Sequence, residues 1–185
     1  KVLQDYFKAN LAMFNGSEVR ARHILIPIVD NKKEITAARL AAIKKAIEAE
    51  AAQDLAKLPA NGDAIKREQE RSKAVEKAFA QAAMKDSTCP SKKDGGDLGF
   101  FPRAGAMVEP FARAAFSLKP FQVSDPIETE FGFHIILATD SKPGKDVKFE
   151  QVKPFVQEVY GERLREAVLT AYKARSKIEY VERKK

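Results

Sequence analysis

Apolar positions change period several times along this chain, and each change marks a predicted element. Leu3, Phe7, Leu11 and Phe14 recur at helical spacing through residues 1–15, and Gly16 is the expected stop. The stretch EVRARHILIPIV then shortens the period to two, as in a strand near residues 20–28, with Ala21, His23 and Leu25 on one face. From Glu34 the period lengthens again. Leu40, Ile43, Ile47 and Leu55 form one helical stripe that should end near Pro59-Ala60-Asn61-Gly62. Asp63 is the expected N-cap of a second helix running to about Lys85. Its first half, KREQERSK, is polar all round and should project into solvent, whereas Val75, Phe79 and Ala83 form a stripe to bury.

Residues 86–108 read as loop-rich, with a short strand near 98–101. A helix is predicted over residues 109–117 with Phe111, Ala115 and Phe116 turned inward. A strand over 122–129, a turn at Phe131-Gly132 and a returning strand over 133–139 follow, the last placing His134, Ile136 and Ala138 on one face. Pro143-Gly144 marks a boundary. Beyond it a strongly amphipathic helix runs from Phe149 to about Arg175 along Val152, Phe155, Val159, Leu164, Val168 and Tyr172, with Pro154 expected in its first turn. Lys177-Ile178-Glu179-Tyr180-Val181 reads as a short strand whose partner is not evident in the chain.

Composition adds limits. The 185 residues are 44% hydrophobic and 32% charged, enough for one domain with appendages. The net charge of +7 is spread among mixed Lys, Arg, Glu and Asp, with no basic stripe interleaved with aromatics. It therefore reads as solvated helix faces, and no nucleic-acid partner is expected. No apolar run approaches the roughly 18 residues of a membrane span. The chain opens on Lys1 without a signal-peptide pattern, as a processed or trimmed chain would. The single cysteine excludes an intrachain disulfide.

His23 and His134 are the only histidines, and both alternate with apolar residues in predicted strands. If those strands pair antiparallel, the imidazoles approach each other. Cys89 lies between them in sequence. The three residues admit several readings: satisfied core histidines, a Cys–His nucleophile, or a Cys-His-His metal site. No orienting third residue or oxyanion motif supports the second, and no CxxC or HxxxH spacing supports the third.

The ordered set Arg22-His23-Ile24-Leu25-Ile26, Ser87-Thr88-Cys89-Pro90-Ser91, Gly95-Gly96-Asp97-Leu98-Gly99-Phe100-Phe101, Met107-Val108-Glu109-Pro110-Phe111 and Thr129-Glu130-Phe131-Gly132-Phe133-His134-Ile135-Ile136 resembles the parvulin family of peptidyl-prolyl cis-trans isomerases over roughly residues 20–140. The resemblance implies an α+β, FKBP-like fold: a four-stranded antiparallel sheet surrounded by helices, here with N- and C-terminal helical extensions. It implies that His23 and His134 pair in the sheet, that Thr129 supplies a hydroxyl to their network, and that Cys89 faces the reacting bond. Leu98, Met107 and Phe111 would line a pocket for the proline ring, with Phe101, Val108 and Phe131 beside it. No metal and no cofactor are expected. The expected substrates are proline-containing unfolded polypeptides, and attack by Cys89 on the prolyl amide is not expected.

Three features depart from the usual pattern. Pro102-Arg103-Ala104-Gly105-Ala106 is one residue longer than usual before Met107, Val108 stands where many relatives carry Gln, and residues 34–85 form a lengthened helical hairpin. The loop Val29-Asp30-Asn31-Lys32-Lys33-Glu34 has mixed charge and the chain has no Trp, so no preference for phosphorylated substrate is expected. The two ends are similar to segments that bracket the isomerase domain in extracytoplasmic bacterial chaperone-foldases. That similarity implies residues 1–17 as part of a chaperone-type domain, 18–141 as the isomerase domain and 142–185 as a C-terminal helix and strand. It also implies a periplasmic or otherwise extracytoplasmic location, the cytoplasm being the alternative. The last helix would dock on the first or pair with another copy as a homodimer. The alternative function is a holdase or protein-binding module with a weakly active site.

Overall fold

The computed structural model describes residues 1–58 and 63–176. The expected helix stop at 59–62 and the expected strand at 177–181 lie outside the described residues. In chain order the elements are α1 (Val2–Ala9), β1 (Glu18–Ile26), α2 (Lys33–Ala56), α3 (Ala64–Asp86), β2 (Asp97–Pro102), α4 (Glu109–Ser117), β3 (Ile127–Thr129), β4 (Gly132–Lys142) and α5 (Phe149–Arg175), with 3-10 turns at Leu11–Met13 and Pro90–Asp94. They fall into two compact units, residues 16–144 and residues 1–15 with 145–185.

The larger unit is built on one antiparallel sheet of order β2-β1-β4-β3. Its central pair, β1 and β4, runs in register from Glu18 opposite Lys142 to Ile26 opposite Phe133, with one irregularity between Arg20 and Ala21. Where the two strands are covered on both faces, at Ile24–Ile26 and Phe133–Ala138, they read as nearly continuous apolar runs, while β1 before that alternates. Ile24, Ile26, Phe133, Ile135 and Leu137 face Leu40 and Ile47 of α2 and Phe79 and Ala83 of α3. On the other face Val19, Ala21, Ile136 and Ala138 meet Phe101, Phe111 and Ala115. The expected N-cap is present: the Asp63 carboxylate accepts the Ile65 N–H at 2.9 Å.

Several elements differ from expectation, each for a local reason. The strand expected over 122–129 pairs as a ladder only at Ile127–Thr129 and touches β4 earlier through one bridge, Val123 to Leu137. Pro126 has no N–H to give a ladder. The Ser124 hydroxyl oxygen takes the Ile136 N–H instead, at 2.9 Å. The returning strand runs three residues further than expected, to Lys142. The loop-rich stretch holds a 3-10 turn at Pro90–Asp94 and a strand extended to Pro102.

In the smaller unit the helix expected over residues 1–15 stops at Ala9. Asn10 turns its side-chain amide back to the Tyr6 carbonyl at 2.9 Å, competing with the helical ladder. Leu11 is consequently 41% exposed while Phe7 and Phe14 stay buried. Those two rings and Val156 of α5 form a small core with Tyr6, Phe149, Val152 and Val159 around it. Pro154 is the sixth residue of α5 rather than a first-turn residue, so it removes the N–H that would bond the Glu150 carbonyl. The apolar stripe of α5 is covered only in its first half, and there Phe155 is still 43% exposed; Leu164, Val168, Leu169 and Tyr172 are exposed.

Phe79 is fully buried where α3 meets the sheet. Phe79→Ala is expected to lower unfolding free energy by about 3–5 kcal/mol, read from the shift in urea midpoint at unchanged slope.

Candidate active site

The β1–β4 register builds the centre of the site. His23 lies opposite Ile136 and His134 opposite Leu25, so the histidines are diagonal neighbours on one face of the sheet. Their Nδ1 atoms are 3.2 Å apart and their rings stack at 5.4 Å with an interplanar angle of 19°. They are 6% and 4% exposed. Thr129 Oγ1 lies 2.8 Å from His134 Nε2, and Ser91 Oγ lies 3.2 Å from His23 Nε2. Thr129 Oγ1 also accepts the Phe131 N–H at 3.2 Å and stands 3.3 Å from the Gly132 carbonyl.

These contacts form one chain, Ser91–His23–His134–Thr129–Gly132, and donor counting shows how it works. Two neutral imidazoles sharing an Nδ1–Nδ1 contact carry one proton between those nitrogens. If His23 donates there, His134 donates Nε2–H to Thr129, Thr129 donates to Gly132, and Ser91 donates to His23 Nε2. If His134 donates, Thr129 donates to His134 Nε2 and His23 donates to Ser91. Either direction satisfies the ring nitrogens, so the tautomer of one ring dictates the other. Burial pushes both histidines down to about 4, and the neighbouring His23 adds to the effect on His134. Both are therefore neutral near pH 7.

The rest of the face is apolar. Phe111 sets its edge against both imidazoles, at 5.6 Å and 86° to His23 and 5.3 Å and 76° to His134. Phe101 lies 6.0 Å from Phe111, and half-buried Leu98, Met107 and Val108 pack on the same cluster. Phe131 sits in the two-residue turn between β3 and β4 and is 58% exposed. Cys89 is half-buried. Its N–H reaches Ser87 Oγ at 3.3 Å and its carbonyl accepts from Lys92, while its thiol has no hydrogen-bond partner among the described residues. The structure thus gathers His23, His134, Thr129, Phe111, Phe101, Leu98, Met107 and Val108, and leaves Cys89 without a hydrogen bond to the histidines.

Two features of the site leave little trace in the sequence. Ser91 has no periodic or motif signal that gives it a role. Pro90 at the first position of the 3-10 turn is the signal that Ser91 would be aimed by a rigid turn. Arg103 is 7% exposed and its two Nη atoms each lie 2.7 Å from a Glu109 carboxylate oxygen. This bidentate pair closes the lengthened loop before Met107 onto the first residue of α4. No group of three His, Cys, Asp or Glu side chains is gathered as metal ligands would be, among the described residues.

This fold and face agree with comparisons to known proteins. The rotamase family of PPIC-type peptidyl-prolyl cis-trans isomerase domains matches residues 23–140, and the chain belongs to that family. It is 42% identical over 80 residues to the foldase protein PrsA of Bacillus subtilis, covering 43% of this chain and 27% of that one. A Helicobacter pylori protein, provisionally named a peptidyl-prolyl cis-trans isomerase, is 31% identical over 170 residues, covering 89% of this chain and 47% of that one. The chain thus spans between about a quarter and a half of the length of these relatives. A crystal structure of a PpiC-type isomerase domain has the same fold, with a TM-score of 0.52 at 21% identity over 72% of this chain and 98% of that one.

The histidine pair gives a signed pH dependence. In the unfolded chain each histidine takes a proton near pH 6.5; in the fold it resists until about 4. Stability should be level above pH 6.5 and fall as pH drops from there towards 4, by at most about 1.4 kcal/mol per pH unit for each histidine. Urea unfolding of wild type against His23→Asn/His134→Asn from pH 5 to 7 checks this, since the double variant should lack that slope.

Proposed function

We propose that this protein accelerates cis-trans rotation about X-Pro bonds in unfolded or partly folded chains, without a covalent intermediate. The observation that carries the reading is a neutral, desolvated histidine pair beside an apolar face of Phe111, Met107 and Leu98. Rotation must cross a barrier of about 18–20 kcal/mol. Twisting breaks amide resonance, so the transition state separates less charge than the planar amide. A dry neutral surface favours that state over the ground state, and no proton need move. On this reading His23, His134 and Thr129 are a scaffold that shapes the electrostatics. Leu98, Met107 and Phe111 take the proline ring, with Phe101, Val108 and Phe131 beside it, and Cys89 tunes the environment rather than attacking. The absence of a hydrogen bond from its thiol to either imidazole supports the last assignment.

Substrate charge is not read by the loop after β1. Lys33 is ion-paired with Glu128, and Lys32 lies 4.0 Å from Asp30, so neither cation is left without a carboxylate for a phosphate to replace. We place the protein outside the cytoplasm as a foldase, on the similarity of its flanking segments to chaperone-foldases. In that role residues 1–17 and 142–185 belong to a chain-binding module, and the exposed half-stripe of α5 supports this. A holdase with a weakly active site is less favoured, because the histidine chain and the apolar cluster beside it are both present. A homodimer through α5 remains a competing use of that stripe, and sedimentation separates it from chain binding.

Exchange measurements on an Ala-Pro peptide test the proposal; no acceleration at micromolar enzyme would sink it. Phe111→Ala should cut kcat/KM at least about tenfold, the loss of roughly 1.4 kcal/mol of transition-state preference. Cys89→Ala should give a graded change, and dependence on a thiolate would reject the noncovalent mechanism. Rates on Glu-Pro and phosphoserine-Pro peptides should be similar, and the wild-type rate should be level from about pH 5.5 to 8 because both histidines stay neutral there.

A further inference from the structure

Arg22 precedes His23 on β1, so its side chain leaves the sheet on the face opposite the histidines. It is nonetheless tied to the segment that carries Ser91. Nη1 donates to the Asp94 carbonyl at 2.7 Å and to the Gly95 carbonyl at 3.2 Å. Nε and Nη2 both donate to Glu76 Oε1 on α3, at 3.1 and 3.0 Å, and Nη2 stands 3.9 Å from the Asp97 carboxylate. The two carbonyls end the Pro90–Asp94 turn, where the turn itself offers no donors. Only 16% of the Arg22 side chain is exposed, although Asp94 and Glu76 at its two ends stay open to water.

The turn is one hydrogen-bonded body from Cys89 to Gly96. Lys92 donates to the Cys89 carbonyl, Gly95 to Lys92 and Gly96 to Ser91, at 2.9–3.0 Å. The His23 N–H donates to the Gly96 carbonyl at 2.9 Å. A closed circuit results: His23 backbone to Gly96, Gly96 to Ser91, and Ser91 Oγ back to the His23 ring. Packing leaves the turn little slack, because a Cβ on Gly95 would lie 2.7 Å from Ala80 Cβ and 3.0 Å from Arg22 Nη1.

We propose that Arg22 is a positioning residue, which clamps the Pro90–Asp94 turn between β1 and α3 and so holds Ser91 against His23 Nε2. Without the guanidinium the terminal carbonyls and Glu76 lose their shared donor, the turn relaxes and Ser91 withdraws. His23 Nε2 then loses its partner, and the tautomer of the whole chain from Ser91 to Thr129 is no longer set from this end. A lysine replaces the arginine only in part, since an ammonium on one stem does not fork between a carboxylate and two carbonyls.

Imidazole nitrogen NMR of the full chain reads the claim directly, without relying on the isomerase reading that the activity measurement uses. Ser91→Ala should move the His23 Nε2 resonance, and Arg22→Gln should move it in the same direction. Each should lower kcat/KM on an Ala-Pro peptide roughly tenfold, as loss of a partner that orients a functional histidine does. The double variant should fall no further than the larger single effect. If Ser91→Ala moves the resonance and folded Arg22→Gln leaves it in place, the proposal is overturned, as it is if the two activity losses multiply. If both variants move the resonance while wild type accelerates no peptide, the isomerase reading fails and the positioning role stands. Should Arg22→Gln not fold by circular dichroism, Arg22→Lys carries the test: a smaller move in the same direction supports the clamp, and an unmoved resonance overturns it.

Discussion

Leu25 faces His134 and His23 faces Ile136 across the central strands, and most of the site depends on that register. The side-chain period of a strand is two, so slipping β4 by one residue would send His134 to the α2–α3 face and bring Ile135 opposite Phe111. Two hydrophobic cores oppose the slip at once. Ile135 and Leu137 are fully buried among α2 and α3, and Ile136 is fully buried on the other side. Fully burying one such side chain is worth about 1.5–3 kcal/mol. The alternation that folds the sheet is thus the same alternation that sets two imidazoles 3.2 Å apart.

Around this centre the molecule separates charge from chemistry. The chain carries +7, yet the histidines are neutral and the face beside them is hydrocarbon. Arg20 is held by Asp97, Arg22 by Glu76, Arg103 by Glu109 and Lys33 by Glu128. The solvent-exposed pairs among them, Arg20–Asp97 and Lys33–Glu128, add little stability. Their larger effect is on place: each fixes a segment flanking the site without putting a bare charge on it. That suits a reaction whose transition state separates less charge than its ground state.

Much of this was legible in the sequence because period is local information. The spacing of Val75, Phe79 and Ala83, the span of α4 and the common face of His134, Ile136 and Ala138 all follow from periods of 3.6 and two. Asp63 as a cap needed only its neighbours. What period could not supply was side-chain hydrogen bonding. Asn10 breaks the first helix by bonding Tyr6, and Ser124 replaces a strand partner for Ile136, each through one contact that leaves no mark on hydropathy. Ser91 and the Arg103–Glu109 pair escaped for a related reason: polar residues in loops carry no periodicity, and their partners are known only once the chain is folded.

The hairpin of α2 and α3 also bears on how the sheet forms. Its helices take up Lys33–Ala56 and Ala64–Asp86 of the chain that separates Ile26 from its β4 partner Phe133. Closing a loop of that separation costs on the order of 4 kcal/mol in chain entropy, and each doubling of length adds only about 0.6. Helices of this kind form within about a microsecond, long before distant strands meet. A preformed hairpin would remove about half of the free chain from the loop to be closed, lowering the entropic cost by that same small step. The arm can therefore lengthen or shorten with little effect on the rate at which His23 finds His134, which leaves its length free to follow other demands.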